Sequence, residues 1–289
     1  MKAAAFDYVV PETVEEAIEQ LAQAGGEAII LAGGQTLMPL LALRMSTPSL
    51  LVDVNQIAAL KGVGRESGAT RIGAMVRQNQ ILADPTLAEA LPVLVQATRH
   101  VGHHQTRNRG TLGGSVSLGE PAAELPATVV ALGGVIEASS TRGSRDIPAE
   151  DFYLGPYSTV LEPDELVTAV RFPDWPTGAM IVFREIARRP GDFALVGLVG
   201  AIVAETGTIT RAGLAWFGMG PMPMKARQAE KALVGQAIDR VDIAAVARLA
   251  IADADPFDDA HATAEYRCEV GRRACAGALG EALARRAAA

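Results

Sequence analysis

Cysteine is scarce in this chain, with only Cys268 and Cys275, seven residues apart in a segment of helical character. A disulfide within one helix cannot span that spacing, and two thiols cannot build a four-cysteine iron–sulfur or structural zinc site. Both read as small buried hydrophobes, and any iron–sulfur centre the protein serves lies on another chain. Positive charge is also in deficit. Lys and Arg number 26 against 33 Asp and Glu, for a net charge of -7 and a pI near 5.2, which argues against nucleic acid as the main partner. The locally basic "RHVGHHQTRNRG" reads as a solvated loop. No run of about 18 apolar residues appears. The N-terminus, "MKAAAFDYVVPETVEEA", turns acidic without a signal-peptide core. The expectation is no membrane-spanning segment and a cytoplasmic location. The four histidines, His100, His103, His104 and His261, form no ligand pattern with acidic or thiol partners, so no metal site is expected. Neither the G-x-G-x-x-G that opens a Rossmann helix nor a P-loop with its lysine occurs.

Apolar residues, in contrast, are abundant. Over 289 residues they make up 49%, with mean hydropathy +0.20, enough to bury a sizeable core in two or three compact units. Thr13 with Glu16 makes a capping box for a helix through about Ala24, with Val14, Ala17, Ile18 and Leu21 at helical period. "EAIILA" and "SLLVDVN" read as strands, with "PLLALRM" helical between them, and "KGVGRESGATRIGAM" reads as a hairpin. Val76 to about Val101 is helical, punctuated by Asp84-Pro85 and by Pro92. A further helix is expected to begin at Pro121, a favoured first-turn position, followed by strands at "GVIEASS" and "DELVTAVRFP". "PDWPTG" marks a boundary. Beyond it come three strands, "AMIVFREIA", "FALVGLVGAIVAE" and "TITRAGLAWFGM", then three helices at Arg227 to Leu233, Asp242 to Ala252 and Ala262 to Arg286, with a frayed tail "ARRAAA". The fold class is α+β.

Two stretches repeat one device eighty residues apart. "ILAGGQTLMPLL" carries Gly33-Gly34, and "GTLGGSVSLGEPAAELPA" carries Gly113-Gly114 between strand-like residues, before an acidic, helical turn. Glycine lets backbone come close to a ligand and adopt positive φ, so that successive amides converge on an anion. A lone Gly-Gly pair is more often only a tight turn. Two matched loops can clasp the two phosphates of one dinucleotide, with Thr36, Thr111 and Ser115 adding hydroxyl donors.

These residues resemble a known family. "AGGQTLMPLLALR" and "RNRGTLGGSVSLGEPAAELPA" are similar to the two flavin-binding signatures of the medium, FAD-carrying subunits of molybdenum hydroxylases, the carbon monoxide dehydrogenase and xanthine dehydrogenase family. "RRPGDFALVG", Arg188 to Gly197, resembles that family's entry into its C-terminal domain, and the likeness covers essentially the whole chain. The resemblance implies a two-part FAD-binding domain of the vanillyl-alcohol oxidase-like type over residues 1–175, with subdomains of about 1–55 and 56–175. It also implies a C-terminal domain over 178–289, with a three-stranded antiparallel sheet and a helical layer. FAD is the implied cofactor. Its pyrophosphate is expected on Ala32, Gly33, Gly34, Gln35, Thr36 and Leu37 and on Thr111, Leu112, Gly113, Gly114 and Ser115. Glu124 matches an acidic position that contacts the cofactor at ribose or adenine hydroxyls, its alternative role being helix capping. Leu166 and Val167 match a strand beside the adenine, or are plain strand core. Val101 and Phe193 either lie over the isoalloxazine or pack in the core. One departure stands out, since xanthine dehydrogenase-like members often carry a lysine where this chain has Glu185, which is left out of the site.

The role implied is electron transfer with no catalytic acid, base or nucleophile from this chain. Electrons from a substrate hydroxylated at molybdenum in a large molybdopterin subunit cross the clusters of a small [2Fe-2S] subunit, reach the FAD and leave to an external acceptor, the complex being a dimer of heterotrimers. A stand-alone FAD-dependent oxidoreductase and a non-catalytic scaffold are the alternatives.

Overall fold

The computed structural model describes residues 2–66 and 68–287. A small parallel sheet opens the chain, formed by β1 (Asp7–Val9), β2 (Ala28–Leu31) and β3 (Leu50–Asp53) in the order β1-β3-β2. Helix α1 (Val14–Gln23) connects β1 to β2, and α2 (Leu37–Ala42) connects β2 to β3. Thr13 caps α1 as expected, its hydroxyl accepting from the Glu16 N–H at 3.1 Å. Ala17, Ile18 and Leu21 form the buried stripe, packed in one cluster with Val52, Val54, Ile57 and Leu60.

A second, antiparallel sheet runs β4-β5-β10-β6-β7, from β4 (Val63–Glu66), β5 (Ala69–Gly73), β6 (Val135–Ser140), β7 (Gly143–Pro148) and β10 (Leu166–Pro173). The short pair β8 (Tyr153–Gly155) and β9 (Ser158–Thr159) lies between β7 and β10 in sequence. Six helices fill the interval from β5 to β6: α3 (Gln78–Ala83), α4 (Pro85–Ala90), α5 (Pro92–His100), α6 (His104–Arg109), α7 (Leu112–Leu118) and α8 (Glu124–Leu132). Pro85 and Pro92 start α4 and α5, as proline suits a first helical turn.

Three local expectations are corrected here. The glycine pair at 113–114 lies in a helix, α7, bounded by the Thr111 cap and by Gly119 in the left-handed region. The stretch "RHVGHHQTRNRG" is not all loop, since α6 forms within it. Helix α8 begins at Glu124 instead of Pro121, because the Glu120 carboxylate accepts from the Ala122 N–H at 3.0 Å and the Ala123 N–H bonds to the Glu120 carbonyl at 3.1 Å. That turn leaves Ala123 extended, with ψ 141°.

The C-terminal sheet has four strands, not the three expected. Its order is β11-β12-β13-β14, from β11 (Met180–Ile186), β12 (Val196–Glu205), β13 (Thr208–Phe217) and β14 (Met224–Lys225). The extra strand is two residues long and pairs with Ala215 and Trp216. On one face lie α9 (Arg227–Leu233), α10 (Ile243–Ala252) and α11 (Ala264–Ala287), around fully buried Trp216, whose Nε1–H donates to the Ala250 carbonyl at 2.8 Å. The expected frayed tail is helical through Ala287, while residues 288 and 289 lie outside the described residues. Both cysteines sit in α11, and burial pushes the Cys275 thiol up to about 12.

The other face of β12 and β13 rests on α8. Val199, Ala201, Ala215 and Phe217 share one core cluster with Leu125, Val129 and Leu132. Every residue of α8 is buried. Among the described residues, no helix is long and apolar enough to cross a membrane.

Candidate functional site

Beyond the end of β2, at the carboxyl end of the parallel sheet, the chain turns through Ala32 to Thr36 before entering α2. Ligands in open sheets of parallel strands sit at this end. Gly34 has φ +71°, where a side chain is strained. Gly33 serves a different need, since a Cβ there would lie 2.5 Å from the Arg109 carbonyl oxygen and 2.9 Å from the Gly110 Cα. The two loops therefore meet through bare backbone. Among the described residues, none accepts from the N–H of Gly33, Gly34, Gln35 or Thr36. Four successive unpartnered amides beside a cavity form a concavity suited to an anion.

Residues without a sequence motif hold this loop in place. Asn55 Nδ2 donates to the Ala32 carbonyl at 2.9 Å. The Arg77 guanidinium donates both to Asn55 Oδ1 and to the Arg109 carbonyl, tying the first loop to the second.

The second loop works differently. Its Leu112 N–H bonds to the Val76 carbonyl at 3.0 Å and its Gly113 N–H to the Ala74 carbonyl at 2.8 Å. Gly114 N–H goes to Thr111 Oγ1 at 3.1 Å, and Ser115 N–H to the Thr111 carbonyl at 3.2 Å. The amides expected to face a phosphate are thus engaged within the protein. Gly113 is needed because a Cβ would lie 2.5 Å from the Ala74 Cβ and 2.8 Å from the Ala74 carbonyl oxygen. Gly110, Thr111, Gly113, Gly114 and Ser115 line the cavity from this loop, Thr111 and Ser115 adding hydroxyls.

The cavity itself measures 450 Å³, within the usual range for a cofactor site. It brings together every residue expected at the cofactor except Leu112, which is fully buried. Leu166 and Val167 line it from the start of β10, next to a bulge in that strand's pairing with β6. Val101 and Phe193 also line it, Phe193 being 61% exposed. Sequence reasoning missed Gln78, Glu120 and Glu165, which line the cavity too. Glu120 accepts from the Tyr157 hydroxyl, a partner thirty-seven residues away that no local pattern announces. No Lys or Arg is among the lining residues described, so an anionic group there would be held by backbone dipoles.

Glu124, the first residue of α8, is 5% exposed. Burial, reinforced by Glu185, pushes its carboxyl up from the ordinary 4.5 to about 8, against the opposing pull of Arg107. A carboxyl raised in the folded state favours the protonated fold, so its contribution is complete below pH 4.5 and is lost as the pH rises toward 8. Thermal unfolding of the FAD-free chain is expected to shift to lower temperature between pH 5 and pH 8, and Glu124→Gln should flatten that decline. Parallel curves for the two proteins would refute this account of Glu124.

The fold and the site together define a protein that cradles a dinucleotide cofactor. Residues 4–175 match the model for the FAD-binding domain in molybdopterin dehydrogenase, and residues 181–282 match that for the CO dehydrogenase flavoprotein C-terminal domain. The chain is 38% identical to the 6-hydroxypseudooxynicotine dehydrogenase complex subunit alpha of Paenarthrobacter nicotinovorans, over 99% of this chain and 97% of that protein. It is 32% identical to the carbon monoxide dehydrogenase medium chain of Hydrogenophaga pseudoflava, over 97% and 98% of the two. A solved structure of carbon monoxide dehydrogenase from Hydrogenophaga pseudoflava superimposes with a TM-score of 0.95 at 33% identity, covering 99% of each chain. The chain belongs to the FAD-binding medium subunits of the molybdenum hydroxylase family, of the carbon monoxide dehydrogenase type. Its cofactor is FAD and its class is oxidoreductase.

Proposed function

We propose that this chain carries electrons from the [2Fe-2S] clusters of a small partner subunit to an external acceptor, by way of its FAD. The substrate is oxidised on a large molybdopterin subunit, and the assembly is a cytoplasmic dimer of heterotrimers. Residues 1–175 serve as the FAD-binding domain and 178–289 as the C-terminal domain. The observation that carries this reading is the row of unpartnered amides at Gly33 to Thr36, set on the same cavity as the apolar Leu166 and Val167.

Each residue then has a task. The amides of Gly33, Gly34, Gln35 and Thr36 hold the pyrophosphate, with Ala32 and Leu37 fixing the ends of their loop. Hydroxyls of Thr36, Thr111 and Ser115 add donors. Gly113 and Leu112 seat α7 against Ala74 and Val76, just past β5, and Gly114 leaves room for the Thr111 cap. Glu124 meets ribose or adenine hydroxyls, and Leu166 with Val167 gives the adenine an apolar bed. Val101 and Phe193 shield the ring from water. FAD, when bound, takes up and releases electrons singly or in pairs.

Purification from the native source tests this reading. The chain is expected to travel with two other subunits, molybdenum, and about four iron atoms per FAD, as two [2Fe-2S] clusters supply. Acid precipitation should release the flavin into a yellow supernatant, since it is held without a covalent bond. A chain that elutes alone, free of iron and molybdenum, would overturn the assignment.

A further inference from the structure

We infer that Gln78 is a cofactor-binding residue outside the two glycine loops, its side-chain oxygen accepting from a ribityl hydroxyl of FAD. The inference rests on the reading that the amides of residues 33–36 hold the pyrophosphate. It adds a hold on the flavin half of the cofactor.

Gln78 is the first residue of α3. Its N–H donates to the Gly110 carbonyl at 2.9 Å, and two residues away the Val76 carbonyl accepts from the Leu112 N–H at 3.0 Å. Segments 76–78 and 110–112 therefore lie antiparallel, with Arg77 opposite Thr111. Gln78 is only 4% exposed, yet it lines the FAD cavity. Its Oε1 is buried and, among the described residues, has no hydrogen-bond partner. A buried acceptor without a donor is destabilising, and native structures seldom retain one without a use.

Gly110 makes this placement possible. A Cβ there would lie 2.5 Å from Gln78 Oε1 and 2.8 Å from its Cδ, so the amide packs directly on bare backbone. With φ -56° and ψ 144°, Gly110 has a conformation that any residue can adopt. Glycine is needed at this position for the space it leaves to the Gln78 amide.

The orphaned oxygen calls for a donor, and ionised phosphates have none to give. FAD carries donors on its ribose and ribityl hydroxyls, on the adenine amine and at one ring N–H. Ribose and adenine are assigned to Glu124, Leu166 and Val167, on α8 and β10. Gln78 packs instead on Gly110, whose N–H bonds to the Thr106 carbonyl at 2.7 Å. Thr106 also lines the cavity, and a Cβ on Gly102 would meet its side chain at 3.2 Å. Gly102 follows Val101, which is assigned to the ring. This chain of contacts runs from the phosphate loops toward the ring, and the ribityl chain joins those two parts of FAD.

The test measures the affinity of the full chain, freed of FAD, for FAD and for ADP, which lacks the ribityl chain and ring. Gln78→Leu keeps the bulk and removes the acceptor. FAD should bind it about tenfold more weakly, as the loss of one well-made hydrogen bond implies, and ADP as tightly as it binds wild type. The unfolding temperature of the FAD-free variant should hold or rise, since the orphaned oxygen is gone. A residue that only braced the loops would instead lower both affinities and the unfolding temperature. If Gln78→Leu does not fold, Gln78→Ala decides by the same contrast between FAD and ADP. Gly110→Ala, which displaces the amide, should weaken FAD by a similar factor alone and add little in Gln78→Ala. Unchanged FAD affinity, an equal loss for FAD and ADP, or a full further loss in that double variant overturns the role of Gln78 alone. A wild-type chain that binds no FAD, or no ADP, would overturn the pyrophosphate site at 33–36 and this inference with it.

Discussion

Replacing Gly33 with valine is expected to strip the chain of FAD while leaving it folded. The new Cβ would stand 2.5 Å from the Arg109 carbonyl oxygen, a backbone atom that cannot swing aside as a side chain can. The facing loop is pinned on several sides. Arg77 holds the Arg109 carbonyl, the Gly110 N–H bonds to the Thr106 carbonyl at 2.7 Å, and the Gly110 carbonyl accepts from the Gln78 N–H at 2.9 Å. The amide row at 33–36 must therefore move instead, at a cost of about 1–3 kcal/mol for the clash alone. Since about 1.4 kcal/mol is a tenfold change in affinity, the affinity for FAD should fall by about 5- to 150-fold, and occupancy at a limiting free concentration with it. The ratio of flavin absorbance to protein reports this, and the unfolding temperature of the FAD-free chain should change much less. Gly114→Val is the milder change, because its Cβ meets the Thr111 hydroxyl at 2.7 Å. That side chain can rotate away, losing a helix cap worth about 1 kcal/mol. Full FAD occupancy in Gly33→Val would end the assignment of this loop to the phosphates.

Removing FAD from the assembled complex should stop turnover and yet leave substrate able to reduce the other centres. The residues assigned a task here serve the cofactor or the loops that hold it, and two cysteines cannot build a four-cysteine cluster. With the flavin stripped, substrate added anaerobically should still bleach the iron–sulfur absorbance to the wild-type extent. Turnover with an acceptor that draws electrons from the flavin should fall to the background rate, and added FAD should restore it. Loss of bleaching in a complex that retains all three subunits and the other cofactors would mean that this chain takes part in substrate oxidation.

Much of the scaffold can be read from residue pattern, and the exceptions have physical causes. The Thr13 cap, the proline-started helices at 85 and 92 and the β4-β5 hairpin announce themselves locally. Helix α7 does not, because adjacent glycines are poor helix formers. Its first-turn amides are satisfied partly by carbonyls of residues 74 and 76, outside the helix. Strand β14 is too short to show a period, and exists because β13 offers it an edge. At the site, the loop residues carry a motif, whereas Asn55, Arg77 and Gln78 act by bonding to backbone far away in sequence. Glu185 is legible only as a departure from relatives. Its near neighbour is a histidine eighty-five residues earlier, an adjacency that leaves no trace in the spacing.

Helix α8 has a bearing on how this subunit can be divided. One flank packs on α5 and α7, while the other lies on β12 and β13, where a Cβ on Gly213 would come within 2.2 Å of the Ala131 carbonyl oxygen. A cut at the proline-rich stretch near 175 would bare an apolar helix face on one product and an apolar sheet face on the other. Chimeras between relatives therefore have to exchange α8 together with the sheet that covers it. The helix that this sheet covers begins at Glu124, on the cofactor cavity.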